Sequence, residues 1–466
     1  MKRLFGTDGI RGIYRKEPIT EKTFRMIGAA ISDIIRAKKK QGRFRVVIGR
    51  DTRQSGEALE RAILSGIRSG CGDPGDPGVD IISCGILTTP GVAFVTREAG
   101  ADIGIVVSAS HNPYNHNGIK VFGSDGFKIP DEMEEEIERL IFTEIEGGNV
   151  NADFEAGEIT PQIYKKSADS TGADFYIKKY IENLTSIISG KIDMRVVVDC
   201  ANGAACKIAG ELFTSLDIDA IIINSNPDGR NINLNCGAVH PGHVSEAVIK
   251  EGADMGVAFD GDADRVIFVD ERGDVVDGDS FMALCASYMK NRGELTGGGI
   301  AATVMGNMGL DIAMREIGVD VIRTPVGDRF VVEAMRAHGY NFGGEQSGHI
   351  IFMDHSTTGD GIASALKMIQ IAQSEGKKIS ELAGAMKKLP QVLINVDVRK
   401  KEDLDNFPEI KNLIEYYESK LTGKGRILVR FSGTEMLCRV MVEGEREDEI
   451  EKIAGELAGV IEKYLG

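Results

Sequence analysis

Short β-branched runs, each ending in a small polar loop and handing over to a helix-like stretch, constrain this chain more than any other feature. Arg45-Val46-Val47-Ile48-Gly49 is followed by apolar residues at helical spacing from Ser55 to Ile67, and Ile103 to Val107 runs into Ser108-Ala109-Ser110-His111-Asn112-Pro113. Arg195-Val196-Val197-Val198-Asp199 and Gly256-Val257-Ala258-Phe259 repeat the opening. Strands that alternate with helices predict an α/β fold. Beyond about Ile371 the pattern changes to Val392–Val396, Ile427–Arg430 and Val440–Val442, closed by a helix with Ile450, Ile453, Leu457 and Ile461 on one stripe. That predicts a smaller α+β domain at the C-terminal end.

At 466 residues the chain exceeds one ordinary core and is expected to divide into three or four domains. The stretch from Gly147 to Pro161 loses apolar periodicity and reads as a linker. The expected domains are 1–155, 156–256, 257–372 and 373–466. The repeated strand–loop–helix openings hint at related units, although no fixed-length repeat marks them.

The net charge of -16 argues against nucleic acid and acidic membranes as partners. An anionic substrate would need a local cluster of basic groups working against that field. No apolar run approaches the ~18 residues of a membrane span, and the first residues lack the basic-then-apolar order of a secretory signal. The seven cysteines include no C-x-x-C pair, so neither a disulfide framework nor a zinc site is expected. A reducing, cytoplasmic compartment is the expectation.

Four loops carry chemistry. In the first, Ser110 stands just past a buried strand, where open α/β sheets place ligands. A serine hydroxyl needs a base or a metal to act as a nucleophile, and His111 and Lys120 are the nearby groups for handling protons. Alone, the loop reads equally as a turn cluster. The second is Asp260-Gly261-Asp262-Ala263-Asp264-Arg265, where three carboxylates within five residues call for a hard divalent cation. A calcium loop is the rival, since Glu271 sits at the twelfth position. Against it, Arg265 stands where glycine is needed and both flanks read as strands, so Mg²⁺ fits better. The third loop is Gly343-Gly344-Glu345-Gln346-Ser347-Gly348-His349, in which Glu345 and Ser347 could read sugar hydroxyls. The fourth, Arg430-Phe431-Ser432-Gly433-Thr434-Glu435 with Arg439 beyond, is a candidate phosphate cradle. Each of these last two also reads as an ordinary turn. Together the four describe phosphoryl transfer on a sugar phosphate.

At this level of detail the chain resembles the α-D-phosphohexomutase family across essentially its whole length, and its glucosamine branch most. The resemblance rests on Leu4-Phe5-Gly6-Thr7-Asp8-Gly9-Ile10-Arg11-Gly12, Pro227-Asp228-Gly229 with Asn231-Ile232-Asn233, Cys236-Gly237 with His240-Pro241, Val326-Gly327-Asp328-Arg329, and the Gln346 loop. It implies four domains around a central cleft, three of them related α/β units with mixed sheets. It implies that Ser110 carries a phosphoryl group, and that Asp260, Asp262, Asp264 and a phosphoryl oxygen on Ser110 bind Mg²⁺. Arg265, Glu345, Ser347 and His349 would bind substrate. Arg430, Ser432, Gly433, Thr434 and Arg439 would grip the phosphate that stays, and Arg11 and Lys120 would stand near the reacting atoms.

The implied reaction interconverts glucosamine 6-phosphate and glucosamine 1-phosphate through a sugar 1,6-bisphosphate, by a monomer or homodimer. Rival readings are the same chemistry on mannose or glucose phosphates, a phosphatase with water as acceptor, and a non-catalytic calcium- or sugar-phosphate-binding protein. Two departures bear on sugar preference: His116 where the family has an acidic residue, and Met436-Leu437-Cys438 for the more usual Pro-Leu-Ile.

Overall fold

The run that begins at Arg45 becomes a strand, and its neighbours explain its apolar sequence. The computed structural model describes residues 4–39, 42–69, 78–146, 170–432 and 436–466; the expected linker at 147–161 lies outside them. Strands β1 (Ile10–Ile13), β2 (Phe44–Arg50), β3 (Val79–Ile86), β4 (Ile103–Val107) and β5 (His116–Gly123) form one sheet in the order β1-β5-β4-β2-β3. β2 is parallel to β3 and β4, while β5 is antiparallel to both β4 and β1. Parallel neighbours require crossover helices that cover the sheet faces, so such strands lose in–out alternation. β4 is buried at all five positions.

The second sheet repeats this plan. β6 (Arg195–Asp199), β7 (Asp219–Ile223), β8 (Met255–Phe259), β9 (Val266–Asp270) and β10 (Val275–Val276) lie in the order β10-β9-β8-β6-β7. β6 is parallel to β7 and β8; β9 returns antiparallel beside β8, and β10 beside β9. The third sheet, β12-β11-β13-β14, is built from β11 (Gly299–Thr303), β12 (Asp320–Thr324), β13 (Phe342–Gly344) and β14 (Ile350–Phe352). There β13 runs parallel to β11 and β14 turns back antiparallel. The Ser110, Asp260 and Glu345 loops therefore occupy one equivalent position, the turn from the last parallel strand into the antiparallel return. The relatedness of the three units is written in this topology.

The sheets also correct two expected boundaries. A division at 256/257 would cut through β8, which with β9 and β10 belongs to the second sheet and carries the Asp260 loop with it. The error has a physical origin: β8 has the same apolar run and polar exit as a strand that opens a unit. Likewise the break at 372/373 falls inside the helix Gly361–Glu375.

The chain divides into two compact units, Met1–Met305 with Val321–Gly384, and Gly306–Asp320 with Ala385–Gly466. The second holds the antiparallel sheet β15-β17-β16, made of β15 (Gln391–Asp397), β16 (Gly425–Phe431) and β17 (Leu437–Gly444). The helices Pro408–Leu421 and Glu447–Leu465 supply its core, and Ile450, Ile453, Leu457 and Ile461 are all buried there as their spacing requires. The segment Gly306–Asp320 joins this unit through buried Glu443, which accepts from the Met308 backbone N–H at 3.0 Å and from Arg426 Nε at 2.7 Å.

Candidate active site

The serine loop is held from behind. Ser110 has a φ of 51°, a left-handed conformation unusual for a residue with a Cβ. Its backbone N–H donates to Ser108 Oγ at 2.9 Å, and its carbonyl accepts from Arg53 at 2.8 Å and Asn233 Nδ2 at 2.9 Å. Arg53 also donates to the Asn112 and Pro113 carbonyls and pairs with Asp51, which accepts from Ser108 Oγ. A side-chain-bearing residue keeps such a backbone setting only when its surroundings over-determine it, and these bonds do so. The side chain is thereby presented forward, with Oγ 2.5 Å from Asp260 Oδ2 and 3.3 Å from His111 Nδ1. Burial, reinforced by Arg265 and Arg11, pushes the His111 imidazole down to about 4, so it is neutral at physiological pH.

Asp260, Asp262 and Asp264 are buried, and their ligand atoms lie within 4.8 Å of one another, the one such cluster among the described residues. Buried Asp262 Oδ1 and Asp264 Oδ1 have no hydrogen-bond partner. Orphaned carboxylate oxygens converging beside Ser110 fit a hard cation with oxygen ligands. Burial, then the Asp264 and Asp262 charges, lift Asp260 well above the usual carboxylate range. Burial would also raise Asp264, but Lys120 and His349 hold it well below. Thr89 anchors the loop from the start of the helix Thr89–Glu98, its hydroxyl donating to Asp262 Oδ2 at 2.6 Å. The calcium-loop alternative fails on geometry: Glu271 lies beyond β9 and accepts from Ser380 Oγ at 2.6 Å.

Lys120, on β5 and 1% exposed, donates to Asp262 at 3.0 Å and Asp264 at 2.5 Å. Burial would lower its pKa, but Asp262, Asp264 and Asp8 hold it well above the ordinary lysine value. Arg11, on β1, pairs with Asp8 and feels Asp262 and Asp264. Arg265 donates its backbone N–H to Asp260 at 3.2 Å. In the β13–β14 loop, Ser347 Oγ donates to Glu345 at 3.0 Å, and His349 Nδ1 lies 3.7 Å from Asp264. The structure thus brings Ser110, Lys120, Arg11, His111, Asp260, Asp262, Asp264, Arg265, Glu345, Ser347 and His349 into one unit.

In the second unit Arg430 and Arg439 face each other across β16 and β17. Burial, with the Arg439 charge beside it, lowers the Arg430 pKa. Two adjacent cations on neighbouring strands favour an anion. The Ser432 carbonyl accepts from Lys401 Nζ at 2.6 Å. Gly433 and Thr434 lie outside the described residues.

Sequence reasoning missed Arg53, Asn233, Thr89, Asp8, Lys128 and the support role of Asp328. Asp8, Asn233 and Asp328 had a signal, since they sit in the Leu4–Gly12, Asn231–Asn233 and Val326–Arg329 motifs. Arg53, Thr89 and Lys128 are single residues drawn in from other segments of the chain.

Family comparisons agree with this geometry. The phosphoglucomutase/phosphomannomutase alpha/beta/alpha domains I, II and III match residues 2–147, 174–273 and 277–389, and the family's C-terminal domain matches 393–460. The chain belongs to the phosphoglucomutase/phosphomannomutase family and is an enzyme of the phosphohexomutase type, an intramolecular phosphotransferase. Its relatives include the phosphoglucosamine mutases of Syntrophotalea carbinolica, 48% identical over 100% of this chain and 98% of that protein, and of Citrifermentans bemidjiense, 48% identical over 100% and 99%. Among solved structures, a Burkholderia thailandensis phosphoglucomutase/phosphomannomutase family protein shares the fold at a TM-score of 0.75 and 22% identity, covering 99% of this chain and 97% of that one. An Aspergillus fumigatus N-acetylphosphoglucosamine mutase, solved in complex with GlcNAc-6P and magnesium, aligns at a TM-score of 0.63 and 18% identity, covering 99% and 95%.

Proposed function

We propose that the protein interconverts glucosamine 6-phosphate and glucosamine 1-phosphate through phosphorylated Ser110 and a glucosamine 1,6-bisphosphate intermediate. The observation that carries this reading is the approach of Ser110 Oγ to Asp260, at 2.5 Å, inside a triad of buried carboxylates with orphaned oxygens. Relatives of this length and identity, named phosphoglucosamine mutases, support the choice of sugar. On this reading the protein works in the cytoplasm as a monomer or homodimer, without nucleic acid or membrane partners. No helix among the described residues is long and apolar enough to cross a membrane.

Mg²⁺ would be held by Asp260, Asp262, Asp264 and a phosphoryl oxygen on Ser110, and would neutralise charge on the transferring group. The residues do the rest. In the first transfer the free sugar hydroxyl forms the new O–P bond as the bond from phosphorus to Ser110 Oγ breaks. One proton leaves that hydroxyl and one returns to Ser110 Oγ; Lys120 handles this traffic, and neutral His111 faces Oγ. Glu345 and Ser347 orient sugar hydroxyls, with His349 beside them. Arg430, Ser432, Gly433, Thr434 and Arg439 hold the phosphate that stays, so that binding energy remote from the reacting atoms positions them. The bisphosphate then presents its other phosphate, which returns to Ser110.

The test is isomerisation with Mg²⁺ and trace sugar bisphosphate, comparing glucosamine, glucose and mannose 6-phosphates. Preference for the amino sugar, abolished by Ser110→Ala, is the expected result. Better turnover of glucose or mannose phosphate would move the enzyme to the phosphomannomutase/phosphoglucomutase branch. Release of inorganic phosphate matching turnover would make it a phosphatase. Isomerisation retained in Ser110→Ala would overturn the mechanism.

A further inference from the structure

Beyond the serine and metal loops, Lys128, Asp8 and Asp328 extend the site's charges through groups that no part of the proposed mechanism uses. Lys128 Nζ pairs with Asp328 at 2.6 Å and also with Asp8. Asp8 in turn pairs with Arg11 and lies 3.4 Å from Lys120 Nζ, which donates to Asp264. At the other end Asp328 Oδ2 is 3.5 Å from His349 Nε2, and His349 Nδ1 faces Asp264. The Gly359 N–H donates to His349 Nε2 at 3.0 Å, which makes that nitrogen an acceptor and leaves the ring proton on Nδ1, toward Asp264. The charges form an open chain, Asp264, Lys120, Asp8, Lys128 and Asp328, and the His349 imidazole packs between its two ends. Its members come from all three sheets' domains.

The placement of Asp328 gives the chain of charges its meaning. It opens the helix Asp328–His338, directly after Gly327, whose N–H reaches Glu345 Oε1 at 3.3 Å. Gly327 thus reaches the sugar-reading loop at Glu345, and Asp328, the next residue, packs beside His349 at its other end. Lys128 then fastens Asp328 to Asp8, the residue that Arg11 and Lys120 share.

We propose that Lys128 and Asp328 are a positioning pair that sets the Glu345–His349 loop in register with Arg11, Lys120 and the carboxylate triad. A purely structural reading predicts something different. Buried ion pairs can be exchanged for uncharged groups with little loss of stability, whereas removing one partner leaves a stranded charge. If stability were the whole role, neutralising both residues together would restore stability and activity alike. A positioning role restores the first and leaves the second impaired, because small misplacements of reacting groups cost rate.

This inference rests on the mutase reading, and the experiment separates the two. The full-length enzyme, Lys128→Met, Asp328→Asn, the double variant and Lys128→Arg are compared for thermal unfolding and for kcat and KM with hexose 6-phosphates. The double variant is expected to unfold within a few degrees of the parent. Its kcat should fall on the order of tenfold to a hundredfold, with KM much less affected, and Lys128→Arg should recover most of the rate. A double variant within twofold of the parent in kcat, or Lys128→Arg as impaired as Lys128→Met, overturns the pair. Should the double variant fail to fold, Lys128→Arg, which keeps the charge, decides alone: a rate as low as that of Lys128→Met overturns the pair. A parent that isomerises no hexose phosphate overturns the mutase reading, and the pair with it.

Discussion

The guanidinium of Arg53 donates to the carbonyl of Ser110 at 2.8 Å, so Arg53 fixes this serine through its backbone. Arg53 is 1% exposed and is tied to Asp51. Replacing it with Met removes three hydrogen bonds to the loop and strands a buried carboxylate. Breaking such a pair costs about 3–5 kcal/mol, and a serine that leaves its left-handed backbone setting loses alignment as well. Arg53→Met should lower the urea midpoint markedly. In the fraction that folds, kcat should drop at least tenfold. Unchanged kcat would show that Asn233 and the Ser108 hydroxyl suffice to hold the loop.

His111 offers a pH experiment. Its folded-state value of about 4 lies below the ordinary 6.5, because burial and the Arg265 and Arg11 charges disfavour imidazolium. As pH falls below about 6.5 the unfolded chain takes up a proton that the folded protein refuses. Stability is therefore lost progressively down to about pH 4, where the folded state also binds the proton and the loss levels off. The loss should be at most about 3 kcal/mol. His111→Gln should flatten that slope in denaturation curves taken from pH 7 to 4. It should also leave the kcat/KM profile between pH 5 and 8 without a missing limb, since a neutral imidazole contributes none there.

The elements legible in the sequence were those whose signal is local. β4 and β6 announced themselves as apolar runs, and the alternate carboxylates of the Asp260 loop marked a cluster that the structure gathers within 4.8 Å. What stayed hidden depends on tertiary placement. Arg53 reads as one of many charged residues until the fold carries it under Ser110. Asp8 sits in a glycine-rich opening with no periodicity, and only the antiparallel pairing of β1 with β5 brings it beside Lys120. The boundary at 256/257 failed for a related reason: β8 looks like an opening strand because the three units share one plan, and only the pairing β6–β8 assigns it.

Glu271 and Asp262 separate the two metal readings. Glu271 stands where a calcium loop would need its last ligand, yet it is spent on the Ser380 hydroxyl and backbone. Glu271→Gln should leave divalent-ion affinity, followed by calorimetric titration of the chelator-treated protein, within about twofold of the parent. Asp262→Asn removes a converging charge and should weaken binding by tenfold to a hundredfold or more, as even the loss of outer partners of metal ligands does. Equal losses in the two variants would point to a loop that folds around calcium instead.

Gly278 tests whether the Glu345–His349 loop is fixed from below. In a solvent-facing helix Ala for Gly gains about 1 kcal/mol, and the exposed Gly459, with nothing within 4 Å of its added Cβ, should show that gain. At Gly278, the first residue of the helix Gly278–Asn291, the same methyl would lie 2.2 Å from the Glu345 carbonyl oxygen and 3.0 Å from the Gln346 carbonyl. Backbone atoms cannot swing aside as a side-chain tip can, and overpacking of this kind costs about 1–3 kcal/mol, which outweighs the helix propensity. The Gly278 N–H that donates to the Gln346 carbonyl at 3.1 Å would be displaced along with the loop. Gly278→Ala should therefore lower the unfolding temperature while Gly459→Ala raises it. It should also raise KM for hexose phosphate about tenfold, because Glu345 and Ser347 move with their backbone. A Gly278→Ala enzyme with parental KM would mean that the loop is positioned from the Asp328 side alone.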